Sequence, residues 1–200
     1  MEEQTAVVVS GSIVDEFIRI LVQDNEIRLG MLINAFDTSD IYIHLTHPMP
    51  VVFLSDAPII CFAAFFRACK CFQTLIEWHS NTSLRTNTGL GLSHFAASGG
   101  CLEIVQMIDF QSNDSAIIEN AEFTPVHAAA AFGHVHVLQF MFENKVDMIL
   151  NTPYAIHLLC YACQYGYMNV VEFLKSIGDD FSNVRSKNES LFCYLCRGEI

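Results

Sequence analysis

Eight cysteines and eight histidines are the residues of this 200-residue chain whose types could do chemistry. Four of the cysteines form two Cys-x-x-Cys pairs, Cys160/Cys163 and Cys193/Cys196. Two such pairs match a structural zinc site, in which four thiolates stand about 2.3 Å from one ion. His134 and His136 lie two apart in a stretch predicted to be helical, so they are expected to point to different sides. His44 and His47 are a loop pair without a third ligand. "TNTGLGLS", Thr86 to Ser93, lacks the Lys that a phosphate-binding loop needs. A Cys–His–Asp triad can be assembled from abundance alone, and no spacing supports one. These residues predict no enzyme, no catalytic residue and no cofactor.

The distance between the two Cys pairs decides how to read them. Cys160 and Cys193 are 33 residues apart, and the same step backwards meets His127, His94 and Cys61. Two positions further on, each copy begins a small or apolar pair: Ala63-Ala64, Ala96-Ala97, Ala129-Ala130, Ala162-Cys163 and Leu195-Cys196. Gly100, Gly133 and Gly166 keep the step, as do Leu75, Ile108, Met141 and Leu174. Four columns without a gap define a repeat. The two Cys pairs are thus one repeat position written twice. Equivalent positions on packed helices lie about 8–10 Å apart, too far for four thiolates to converge on one ion. The expected metal set is therefore none, with a structural zinc protein as the alternative from another class.

The best copy, "TPVHAAAAFGHVHVLQFMF" from Thr124 to Phe142, resembles the ankyrin repeat. "GLSHFAASGGCLEIVQMI" from Gly91 keeps the His, the Ala pair and the Gly. "HLLCYACQYGYMNVVEFLK" from His157 has lost Thr-Pro and His, and "PIICFAAFFRACKCFQTLI" from Pro58 has Arg67 where the Gly belongs. The motif has a mechanical logic. Pro125 fits the first helical turn and Thr124 can cap it. Gly133 supplies the left-handed residue that ends the first helix. Val135, Val137, Leu138 and Met141 give the second helix an apolar face that only stacking can bury. The resemblance implies that His127 is a structural residue tying neighbouring loops.

The predicted architecture is an all-α ankyrin-type solenoid behind a helical N-terminal cap. Residues 53–200 divide into repeats at about 53–85, 86–118, 119–151 and 152–184, with a partial copy over 185–200. The repeat register fails before residue 53. There "SIVDEFIRILVQ" reads as an amphipathic helix with a capping box from Ser12 to Asp15, and Asn25 to Phe36 as a second helix. Residues 1–52 are accordingly expected to be a capping segment or a decayed repeat, and "HLTHPMP" from His44 a connecting loop. The fifth copy stops at Ile200, before its second helix, so the chain is expected to be a piece of a longer repeat protein.

Composition narrows the partners. Lys and Arg number 10 against 22 Asp and Glu, a net charge of −12 that repels phosphate backbones and anionic lipid surfaces. Apolar residues make up 52%, yet the longest unbroken apolar run, Ile59 to Phe66, is far short of the ~20 residues of a membrane span. The N-terminus is acidic where an export signal is basic. With no such signal, the cysteines are expected to be reduced, in the cytoplasm or nucleus. The expected partner is another protein, with a basic one permitted by the charge, bound by a monomer without nucleic acid or membrane.

The resemblance implies a non-catalytic protein–protein interaction scaffold or adaptor, or the regulatory or targeting module of a larger protein. It places contacts on the finger loops and on the concave ends of the first helices. Those ends are Phe65, Phe66, Ser98, Gly99, Ala131, Phe132, Gln164 and Tyr165, and the finger tips include Leu90, Phe123, Tyr154 and Ile156. The partner-binding candidates are Phe65, Phe66, Phe132, Gln164, Tyr165, Leu90, Phe123 and Tyr154. Exposed aromatics are the usual anchors of interfaces.

Overall fold

The computed structural model describes residues 7–36, 40–45, 56–86, 88–108, 124–144 and 155–177. Each repeat contributes a first and a second helix. The first helices are α3 (Ile59–Phe65), α5 (Leu92–Gly99), α7 (Pro125–Ala131) and α9 (Ala155–Gln164). The second are α4 (Cys69–Glu77), α6 (Leu102–Met107), α8 (Val135–Glu143) and α10 (Met168–Ser176). First helices pack on first helices along the stack, and second helices on second. The inner layer is close because it is small: Ala63, Ala64, Ala96, Ala97, Ala128, Ala129 and Ala162 are all fully buried. Cys163 occupies an Ala position and is also buried, as is Cys61 in the His column. Both are small hydrophobes filling the stack. The side chain of Cys160, and all of Cys193 and Cys196, lie outside the described residues.

The outer layer carries the larger apolar groups. Leu75, Ile104, Val105, Val137, Leu138, Met141, Val170 and Leu174 are fully buried, while Val135, at the start of α8, is half-buried. Between the layers, Gly100, Gly133 and Gly166 end the first-helix segments with φ of 73°, 76° and 75°. That is the left-handed region, where a Cβ is costly and glycine is not.

The N-terminal segment holds α1 (Ser12–Val22) and α2 (Glu26–Asn34), whose inner face buries Phe17, Ile20, Leu21, Leu29 and Ile33. Helix α1 packs on α3, and α2 on α4. The expected capping box at Ser12 does not form. Gly11 is the N-cap, and Ser12 is already the first helical residue. Asn25 does cap α2, its Oδ1 accepting the Arg28 N–H at 3.0 Å. Asp24 reaches further: its carboxylate accepts the Lys70 and Cys71 N–H groups at 3.2 and 2.9 Å, capping α4 from another unit.

This segment is not purely helical. Strands β1 (Val7–Val9), β2 (Ile41–Ile43) and β3 (Ala57–Pro58) form a small sheet, with β2 central, parallel to β1 and antiparallel to β3. Ile41, Ile43 and Ala57 are fully buried. Three-residue strands show no period long enough to detect in a sequence. Pro58 ends β3 and is the N-cap of α3, so the sheet delivers the chain directly into the first repeat.

Candidate protein-interaction surface

The motif histidines are structural. His94 and His127 are 1% and 4% exposed, and each Nδ1 accepts the N–H of the residue three before it, Gly91 or Thr124, at 3.2 Å. This is the reach-back half of a capping box, with imidazole in place of a carboxylate. The Thr124 hydroxyl lies 2.7 Å from the same His127 nitrogen.

His134 and His136 depart from expectation. Both reach back to the preceding repeat, where their Nε2 atoms donate to the carbonyls of Ser98 (2.9 Å) and Gly100 (2.8 Å). The reason is that His134 precedes α8 as its N-cap, so helical spacing does not separate the two rings. The carbonyl between them, Gly99 O, accepts the Arg67 Nε–H at 2.6 Å from the repeat on the other side. Three successive carbonyls of one turn are thus satisfied by both neighbouring repeats. Asn169 continues the series, donating to Gly133 O at 3.4 Å. Of the loop pair, His44 is paired with Asp56 at 2.5 Å and His47 lies outside the described residues.

The cysteine thiols are held protonated where a shift is resolved. Burial, then Asp24, pushes Cys71 up to about 12, and burial raises Cys163. An activated thiolate needs the reverse, a lowered pKa.

At the ends of the first helices the structure brings together three of the predicted aromatics. Phe65 meets Phe66 edge-on at 5.5 Å and Phe132 edge-on at 5.8 Å. Phe132 in turn lies parallel to the His134 ring at 6.5 Å. Phe65 and Phe132 belong to the first and third repeats, so their contact crosses the second. Gly99 makes that possible. It stands in the column of Phe66, Phe132 and Tyr165, and a Cβ there would lie 2.5 Å from Ala64 O and 2.7 Å from Phe65 O. Sequence reasoning placed Gly99 on this face without seeing that its missing side chain joins the neighbours. Gly99, Ser98 and Ala131 are buried, whereas Phe65, Phe66 and Phe132 are half-buried. One repeat further on, Gln164 is exposed and Tyr165 is 48% exposed. Leu90 is half-buried against the core, next to the Arg85–Gly91 bridge of its finger loop. Phe123 and Tyr154 lie outside the described residues.

Residues 93–188 match the family model for ankyrin repeats, in three copies. The chain carries ankyrin repeats. Its fold is similar to the crystal structure of the human ASB11 ankyrin repeat domain, with a TM-score of 0.56 at 16% identity, over 82% of this chain and 69% of that one. No curated protein matches the chain in sequence. The family match begins inside α5, so the helix pair α3 and α4 falls outside it. That unit has Cys61 for the motif His and Arg67 for the motif Gly. Ankyrin repeats are generally protein-interaction modules and typically non-catalytic. Among the described residues, no helix is long and apolar enough to cross a membrane.

Proposed function

We propose that this chain is a non-catalytic protein–protein recognition scaffold whose contact surface is the aromatic end of its first helices. The observation that carries the reading is the row formed by Phe66, Phe65, Phe132 and Tyr165. It is half-buried to exposed, spans four repeats, and is rigidified by ring contacts at 5.5 and 5.8 Å. Rigid, partly exposed aromatics lose little entropy on binding and dominate interface energetics. Gln164 adds a polar contact at the rim. Leu90 is a further candidate contact, as are Phe123 and Tyr154 on the repeat pattern of the sequence alone. The net charge of −12 favours a protein partner with basic residues around its apolar anchor and disfavours nucleic acid. The thiols of Cys61, Cys69, Cys71, Cys101 and Cys163 fit a monomer working in a reducing compartment, the cytoplasm or nucleus.

Gln164→Ala/Tyr165→Ala tests this with little risk to the fold, since both side chains are exposed. The protein retained by the wild-type chain from its native cell should be lost from the double variant, with stability unchanged within about 0.5 kcal/mol. Phe66→Ala/Phe132→Ala should also lose it, at a measurable cost in stability from the broken ring contacts. Undiminished capture by both variants would sink the proposal.

A further inference from the structure

Outside that surface, the tertiary structure brings together three potential metal ligands. Cys69, the first residue of α4, and Cys101, the N-cap of α6, place their Sγ atoms 3.3 Å apart. The Glu103 carboxylate joins them, with all three ligand atoms within 4.8 Å of one another. Both thiols are half-buried and Glu103 is exposed, so the group lies open to solvent on one side. We propose that Cys69, Cys101 and Glu103 form a binding site for a soft divalent cation of the Zn²⁺ type, with a fourth coordination position open to water.

The geometry favours a cation over the other chemistry available to two thiols. Two thiolates sharing a tetrahedral zinc stand ~3.8 Å apart, given Zn–S bonds of about 2.3 Å. The observed sulfurs need to open by only about half an ångström, with the exposed Glu103 carboxylate approaching from the solvent side. A disulfide needs the sulfurs to close to about 2.05 Å, and gives the carboxylate no role. A divalent cation displaces the thiol protons and is itself attracted by the carboxylate. Two sulfurs select a soft or borderline ion over Mg²⁺ or Ca²⁺. The site ties α4 to α6, so an ion there would join the first repeat to the second.

The test is titration of the full, reduced, metal-stripped chain with Co²⁺ as a spectroscopic stand-in, followed by displacement with Zn²⁺. The wild type should show one sulfur-to-cobalt charge-transfer band that Zn²⁺ abolishes. Cys69→Ser and Cys101→Ser should each lose it, with circular dichroism reporting an unchanged fold. Glu103→Gln, a change at an exposed position, should weaken the affinity by at least the roughly 10–100-fold that loss of an outer-shell partner costs. Cys160→Ser/Cys163→Ser should keep the band. A band that survives in Cys69→Ser/Cys101→Ser, one that disappears with Cys160 and Cys163, or none in the wild type overturns the proposal.

Discussion

In the third repeat the turn between helices is made by Gly133 at φ 76°; in the first, the same place holds Arg67 at φ 61°. The third repeat starts its first helix with Thr124, Pro125 and His127, which satisfy one another locally. The first starts its own with Pro58 straight from a strand, and buries Cys61 where the His would be. What differs is where the compensation comes from. In the third repeat it lies in the motif. In the first it is brought by other units: Arg67 offsets its left-handed backbone with a bond to Gly99 O, and Asp24 caps α4 from 46 and 47 residues away. A repeat can therefore lose its motif residues and keep its shape if its neighbours supply the lost partners.

The sharpest way to break this arrangement is at Gly99, which lies between the two repeats compared. Gly99→Ala drives a Cβ into the α3 backbone, which cannot swing aside as a side chain can. It should cost about 3 kcal/mol, at the upper end for overpacking, read by urea denaturation. A near-neutral result would mean that α3 and α5 are less close than described.

The turn positions give a smaller and more discriminating effect. Gly133→Ala puts a Cβ on a left-handed backbone and against the Tyr167 ring, and should cost about 2 kcal/mol. At Arg67 the order is different. Arg67→Ala keeps the backbone strain and loses the bond to Gly99 O, for about 1 kcal/mol. Arg67→Gly loses the same bond but relieves the strain, so it should stay within about 0.5 kcal/mol of wild type. If Ala and Gly at position 67 prove equal, the strain is not what the guanidinium offsets.

The smallest effect is a pH dependence centred on the link between the second and third repeats. Burial lowers the His134 pKa from its ordinary 6.5, partly opposed by the hydrogen bond to Ser98 O, with Arg67 and His136 lowering it further. The folded state thus holds a neutral imidazole where the unfolded chain takes up a proton. The stability tied to this group is intact above pH 6.5. It declines as pH falls below that value, until the lower folded pKa is reached. Melting temperature measured from pH 7 downwards should fall less steeply in His134→Gln, which keeps a donor near Ser98 O but does not titrate. An identical slope would remove His134 from the account.

The legible part of the fold was whatever recurs. Gly133, His127 and the Ala pairs act within one repeat or between adjacent copies, so their step of 33 residues reports a real packing period. The candidate surface was half legible. The family pattern placed Phe65, Phe66 and Phe132 on one face, but not the contact that joins the outer two repeats across Gly99. The three strands were not legible, because Val7–Val9 and Ile41–Ile43 are too short to show alternation and their pairing spans more than thirty residues.

By itself, then, the sequence determined the repeating unit and its helical content, because both depend on interactions that recur at one spacing. Only the tertiary structure decided what happens where the pattern fails. Cys69 and Cys101 are 32 residues apart and occupy non-equivalent positions, so no column contains them both, yet their sulfurs lie 3.3 Å apart. Periodicity reports the contacts that every copy makes. A contact made once, by residues that break the repeat, exists only in the folded chain.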